Sequence, residues 1–226
     1  MSELSYRYPG AERQVIAIKD FQLKREEKLF LYGPSGSGKT TLLGLVTGIL
    51  RPQQGQLQVL GTDFVRLSNR GRDRFRGSHI GYIFQMFNLI PYLSVLENIT
   101  LPCQLSPQRR ARLNGGSPSD KAIELAEVLG LAHVLNAPAS KLSVGQQQRV
   151  AAARALIGDP ELIIADEPTS SLDADVQNTF LSELFTAASA AKSSILFVSH
   201  DQSLRERFDR SVSLSDINVP EVGENR

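Results

Sequence analysis

At 226 residues, 41% of them hydrophobic, the chain is long enough to bury a sizeable core, as one large domain or a domain carrying a smaller lobe. A formal net charge of +1, from 25 Lys and Arg against 24 Asp and Glu, supplies no basic field for nucleic acid and no strong pull toward anionic lipid. Cys103 is the single cysteine, which excludes an internal disulfide and fits a reducing compartment.

The amino terminus, MSELSYRYPGAERQ, is polar from its first residues and lacks the apolar centre of a signal peptide, so export is not expected. Residues 15–31 alternate as two strands joined by a charged turn around residues 24–28. LFLYGPSGSGKTTLLGLV (residues 29–46) then breaks from an apolar strand into Gly, Ser and Lys, and back into apolar residues at helical spacing. That helix is expected from Thr41 to Leu50, stopped by Arg51-Pro52. GQLQVLG (55–61) reads as a short strand framed by glycines. SNRGRDRFRG (68–77) reads as a solvated connection with a short helix, because charge runs usually face water.

IGYIFQ (80–85) is an apolar strand that ends in an amide. Between residues 93 and 141, SVLENITLP and DKAIELAEVLGLAHVL have helical spacing around a polar, flexible SPQRRARLNGGSPSD, which predicts an inserted helical lobe. A helix over 146–157, a buried strand at 162–165, a helix over 174–191 and a buried strand at 195–198 follow, and the tail from Asp216 is expected to be loosely ordered. Short apolar runs without alternation, separated by helices, mark strands covered on both faces, so the fold class is α/β with a mostly parallel sheet flanked by helices. The longest apolar runs fall far short of the roughly twenty residues of a membrane-spanning helix.

The break after Leu31-Tyr32 is G-x-x-x-x-G-K-[ST], with Gly33, Gly38, Lys39 and Thr40 in the fixed positions. Its glycines let successive backbone N–H groups point at one anion, and the following helix offers the positive end of its dipole to the same spot. Lys39 is expected to reach the β- and γ-phosphates of a nucleotide, and the Thr40 hydroxyl to ligate Mg²⁺. In a parallel sheet, ligands collect beyond the carboxyl ends of the strands. Asp166 there is expected to hold Mg²⁺, directly or through water. Glu167 is expected to orient or deprotonate an attacking water. Gln85 can offer its carbonyl oxygen to Mg²⁺ and its amide to the water, and a neutral His200 can donate to a γ-phosphate oxygen.

KLSVGQQQRVAAARAL (141–156) places Ser143 and Gly145 just before a strong helix, a second anion-binding start without a lysine. Two copies facing head to tail, each nucleotide lying between the lysine loop of one and the serine-glycine start of the other, account for both. Dimerisation would then depend on ATP. The run of three glutamines is not explained by capping alone.

GPSGSGKT, Gln85, LSVGQ, IIADE, SSLD and His200, in this order, resemble the nucleotide-binding subunit of an ATP-binding cassette (ABC) transporter, over nearly the whole chain. The resemblance implies one ATPase domain over residues 1–226. Within it, a P-loop core with a small antiparallel β subdomain takes residues 4–92 and 142–215, a helical subdomain 93–141 and a loose tail 216–226. It identifies Gly33, Pro34, Ser35, Gly36, Ser37, Gly38, Lys39, Thr40 and Thr41 as the Walker A loop. Asp166 is the Walker B acid, Glu167 the catalytic base, residues 142–146 the family signature, 170–173 the D-loop and His200 the switch histidine. Ser143, Val144, Gly145, Gln146 and Asp173 would contact ATP held by the other copy, and Tyr8 would stack on adenine.

Within the family, FQMFNLIPYLSVLENITLP resembles the branch of lipoprotein-releasing, macrolide-exporting and cell-division ATPases (LolD, MacB and FtsE types). Those work with permeases that carry a large extracytoplasmic domain, and would place this chain at the cytoplasmic face of the inner membrane. The helical lobe and residues 85–98 would receive the permease's coupling helix. Export, lipoprotein release and regulation of cell-wall hydrolysis all remain open at this point. A soluble cassette acting on ribosomes or DNA would carry two cassettes or a long coiled-coil insertion, and neither is present. Val144 stands where the signature commonly has glycine, Ser171 where the D-loop has alanine, and Glu26-Glu27 lacks a common glycine; none touches the catalytic set, so an active ATPase is expected.

Overall fold

The computed structural model describes residues 1–170 and 172–220. In chain order it contains β1 (Ser2–Tyr6), β2 (Ile16–Asp20), β3 (Lys28–Tyr32), α1 (Lys39–Val46), β4 (Gln54–Gln56), β5 (Gln58–Val59) and β6 (Thr62–Asp63). Then come α2 (Asn69–His79), β7 (Ile80–Ile83), α3 (Val95–Leu105), α4 (Pro107–Ala111), α5 (Pro118–Val128) and α6 (Val144–Leu156). The chain continues with β8 (Leu162–Asp166), α7 (Ala174–Ala190), β9 (Ser194–Val198), β10 (Arg210–Ser213) and α8 (Leu214–Ile217).

The apolar runs KLFLY, LIIAD and SILFV form the centre of an all-parallel five-stranded sheet in the order β10-β3-β9-β8-β7. Alternate residues along each strand serve opposite layers, which is why these runs carry no polar face. Phe30, Ile163, Ile195 and Phe197 pack with α3, α5, α6 and α7. Leu29, Leu31, Ile164, Leu196 and Val198 pack on the other side with Leu42 and Leu45 of α1 and with Leu4, Ile16 and Ile18 of a second, antiparallel sheet, β2-β1-β4.

The two strands expected in residues 15–31 are present, and the charged turn between them carries the chain from the antiparallel sheet, which β2 joins, to the parallel one, which β3 joins. Three expectations change. The stretch 55–61 divides, with β4 pairing on β1, and β5 and β6 closing a small hairpin over Leu60 and Gly61, both left-handed at φ 50° and 78°. The basic stretch 68–77 belongs to an 11-residue helix, capped by Ser68. One of its arginines is not solvated: Arg72 is buried and donates to the carbonyls of Gly48, Phe64 and Leu67. The tail also departs from expectation at its start, since α8 includes Asp216, and Asn218 is buried and hydrogen-bonded to β2; residues 221–226 lie outside the described residues.

Between β7 and β8, α3 starts with a Ser94/Glu97 capping box and packs on α5 and α6. Ser106 caps α4, which delivers Arg109, 2% exposed, beneath the parallel sheet. Its guanidinium donates to the carbonyls of Gly77, Ile80, Ala155 and Ile157. Burial pushes its pKa down to about 10, a cost that the carbonyl dipoles offset. α6 in turn lies directly on β7, where a Cβ added to Gly81 would stand 2.2 Å from the Ala155 carbonyl oxygen. Arg109→Ala is expected to lower the unfolding free energy by about 3 kcal/mol, because one deletion leaves several buried carbonyls unpaired. Urea unfolding checks this, and a loss below about 1 kcal/mol would show that water re-pairs them.

Candidate active site

The parallel register sets the ends of β3, β9, β8 and β7 in a row: Leu31 stands beside Val198, Val198 beside Asp166, and Ala165 beside Ile83. Just past each end lie residues 33–40, His200, Glu167 and Gln85, so the four sequence segments expected to carry chemistry leave the sheet at one edge.

The loop from β3 reverses through Gly36 and Gly38, at φ 78° and 101°. At Gly38 any other residue is strained by the φ of 101°, and a Cβ would crowd Ile16 Cδ1 at 3.1 Å and the Val15 carbonyl oxygen at 3.2 Å. Helix α1 starts at Lys39, two residues before the expected start at Thr41, so Lys39 and Thr40 sit in its first turn. Lys39 Nζ donates to the carbonyls of Gly33 and Pro34 at 2.8 and 3.1 Å, which holds the ammonium across the loop mouth. Pro34, Ser35, Gly36 and Thr40 are exposed, whereas Thr41 is buried with its Oγ1 3.1 Å from the Tyr8 hydroxyl. Tyr8 itself is half-exposed and edge-on to Tyr6.

Asp166 ends β8. Burial raises its carboxyl pKa, a hydrogen bond from the Tyr82 hydroxyl at 3.3 Å opposes this, Glu167 raises it and Lys39 lowers it. Tyr82 is pushed well above the ordinary phenol range by burial and by Asp166. Glu167 follows in a left-handed conformation, φ 48°, its N–H donating to the Val198 carbonyl at 2.8 Å. That bend turns the side chain toward β9. Its Oε2 accepts from His200 Nδ1 at 2.8 Å and from Ser199 Oγ at 3.3 Å. Glu167 is largely buried, and His200 is two-thirds exposed. The turn after Glu167 is held by two buried amides, Gln148 donating to the Pro168 carbonyl and Gln177 to that of Thr169.

Gln85 is exposed beyond β7. The next turn contains two left-handed residues, Phe87 and Asn88, whose carbonyls accept from the half-buried Arg154 guanidinium of α6 at 2.6 and 2.7 Å.

Ser143 caps α6 in a capping box with Gln146, whose amide also approaches His133. Val144 is half-exposed and the space beside Gly145 is open. Among the described residues, no hydrogen bond joins Ser143 or Gln146 to residues 33–41, so one chain does not bring its own signature onto its own loop. The three glutamines now divide: Gln146 caps, Gln147 donates to the Leu142 carbonyl and Gln148 reaches Pro168. Asp173 is exposed and caps α7 through the Val176 N–H. Ser171, within the expected D-loop, lies outside the described residues.

Tyr82, Ser199, Gln148 and Arg154 touch this machinery and were not anticipated. For Tyr82 a signal existed, since a lone phenol inside the apolar GYIF needs a partner for its hydroxyl. Gln148 stood unexplained within the glutamine run. Ser199 and Arg154 gave none.

Comparison with known proteins shows the family. Residues 17–170 match the model of the ABC transporter family. An uncharacterized ABC transporter ATP-binding protein of Mycobacterium tuberculosis is 40% identical over 218 residues, 95% of this chain and 85% of that protein. The lipoprotein-releasing system ATP-binding protein LolD 2 of Caulobacter vibrioides is 35% identical over 214 residues, 95% of this chain and 92% of its own. Among solved structures, the dimeric post-hydrolysis state of the ATP-binding cassette MJ0796, bound to ADP and Pi, superposes with a TM-score of 0.83 at 29% identity, covering 97% of this chain and 96% of that one. The glycine-rich loop, the acidic strand end and the His200-Glu167 pair thus stand in a chain that belongs to the ABC transporter family, as its ATPase cassette.

Proposed function

We propose that this cassette works as one half of an ATP-dependent head-to-tail dimer that drives a membrane permease of the LolD and MacB type, one with a large extracytoplasmic domain. The observation that carries the dimer is the start of α6: Ser143, Val144 and Gly145 form a capped, outward-facing helix end with no bond to their own phosphate loop. Such an end favours an anion, and a second copy's nucleotide supplies one. The cassette MJ0796 is itself dimeric in two solved structures. The relative named for lipoprotein release supports the branch.

In this reading the backbone of residues 33–41 and Lys39 bind the polyphosphate, Tyr8 packs on the base, and the partner's Ser143, Val144, Gly145, Gln146 and Asp173 close over the γ-phosphate. Thr40, Gln85 and Asp166 present only oxygen donors to a metal, which suits Mg²⁺. Among the described residues no group of three or more His, Cys, Asp or Glu offers a competing metal site. Bound with ATP, Mg²⁺ would neutralise charge developing on the phosphate oxygens.

Glu167 takes a proton from the attacking water as its oxygen bonds to the γ-phosphorus. The bond to the β-phosphate oxygen breaks, giving ADP and phosphate. A carboxylate only accepts, so His200 Nδ1 carries a proton toward Glu167.

Glu167→Gln is expected to lower kcat at least about 100-fold and to leave an ATP-bound dimer on size exclusion, because the base is lost and the binding surfaces are kept. Wild-type turnover in this variant would refute the assignment. Ser143→Ala combined with Gly145→Asp is expected to abolish that dimer while a single chain still binds nucleotide; an intact dimer would remove the head-to-tail arrangement. Met86 and Tyr92, each 81% exposed on either side of FNLIP, form the apolar surface proposed to receive the permease. Met86→Asp with Tyr92→Asp is expected to release the permease in mild-detergent copurification and to spare ATP hydrolysis by the cassette alone. Recovery of ribosomes instead of a permease would overturn the membrane reading.

A further inference from the structure

We propose that Asn218 is a positioning residue of the nucleotide site, which pins the Ser37 carbonyl outward and thereby aims the Gly38 N–H at bound phosphate. The proposal rests on residues 33–40 being the phosphate loop.

Asn218 is 8% exposed, in the segment just after α8. Its Oδ1 accepts from the Ala17 N–H at 2.7 Å, and its Nδ2 donates to the carbonyls of Val15 at 2.9 Å and Ser37 at 3.2 Å. The orientation of the amide is set by these partners, since only oxygen can accept from Ala17 and only the NH₂ can donate to two carbonyls. The residue is itself fixed by its backbone: its N–H donates to the Leu214 carbonyl at 2.8 Å, and the Val219 N–H to that of Ala17 at 3.0 Å. One side chain therefore joins the chain end of the fold, the antiparallel sheet and the phosphate loop.

The bond to Ser37 acts through peptide geometry. The peptide between Ser37 and Gly38 is trans and planar, so its C=O and N–H point in opposite directions. Holding the oxygen on Asn218, outside the loop, turns the Gly38 N–H to the inside. Gly38 needs that constraint, because at φ 101° its backbone has the freedom that only glycine enjoys. Ser37 has few other ties. Its N–H makes a long contact of 3.3 Å to the Pro34 carbonyl, and its Oγ is buried without a hydrogen-bond partner. Among the described residues, Asn218 is the donor that reaches the Ser37 carbonyl.

The test is nucleotide affinity in two variants. Asn218→Asp keeps the size and the acceptor for Ala17 and removes the donor; Asn218→Ala removes both, and remains informative should the carboxylate variant fail to fold. Titration with MgADP and MgATP, well below each melting midpoint, is expected to show binding weakened about tenfold, the scale of one or two lost hydrogen bonds. In steady-state hydrolysis KM for ATP should rise in proportion with kcat within about twofold, as for an interaction present equally in ground and transition states. Lys39→Ala serves as the binding-deficient reference. Ile99→Ala, in the core of the helical segment, serves as a control for lost stability. Wild-type affinity in both Asn218 variants, beside loss in Lys39→Ala, would overturn the positioning role and leave the phosphate loop standing. Equal weakening in Ile99→Ala at a matched drop in melting temperature would reduce the effect to general loosening and overturn it as well. No binding by the unaltered protein would instead refute the phosphate loop itself.

Discussion

The hydrogen-bond register of the parallel strands is the constraint on which the rest of the structure depends. Because β3, β9, β8 and β7 run in the same direction and end nearly level, four chain segments emerge side by side, with Leu31, Val198, Asp166 and Ile83 as their last fixed points. A slip of one residue in β8 would place Asp166 and Glu167 on the wrong faces, since side chains alternate with a period of two. The runs LIIA and ILFV resist such a slip because both of their faces are buried, so every alternative register exposes or clashes somewhere. The geometry of the candidate site is in this sense inherited from core packing. The short bonds from His200 and Ser199 to Glu167 only finish what the strands begin.

A second theme is how cationic side chains are used away from phosphate. Arg72 and Arg109 are buried and Arg154 half-buried, and their hydrogen bonds fall mainly on backbone carbonyls. A guanidinium offers five donors in a fixed plane and so can collect carbonyls from several segments at once, which a lysine cannot. Arg72 gathers the ends of α1 and the loop before α2, Arg109 ties α4 to β7 and the end of α6, and Arg154 fastens α6 to the turn after Gln85. Arg72 and Arg109 lie away from the site, yet like Arg154 they fix the elements that build it.

Much of the fold was legible in the chain. The tight reversal after β3 is announced by glycines, two of which take positive φ, and the parallel sheet by apolar runs that no amphipathic strand would show. The failures have a common physical cause. The alternation of residues 15–31 shows two strands, as the structure has them, but it records burial on one face and says nothing about which sheet supplies each partner. The polarity of SNRGRDRFRG suggests solvent, but a guanidinium hidden among carbonyls looks no different in sequence from one in water. The short strands β1 and β10 escaped notice because SELSY and RSVS hold few apolar residues and take their order from neighbours already in place. Asn218 reads as part of a loose tail for the same reason: its three polar partners lie some two hundred positions away in the chain.

Gly81 has a mechanical consequence. With no side chain between β7 and the Ala155 carbonyl, the helix and the strand meet backbone to backbone, without a compressible cushion. Arg154, one position earlier on that helix, grips the turn that extends the same strand. A push delivered to residues 84–93 would therefore arrive at the opposite end of α6 without slack, as through a rigid lever rather than a spring.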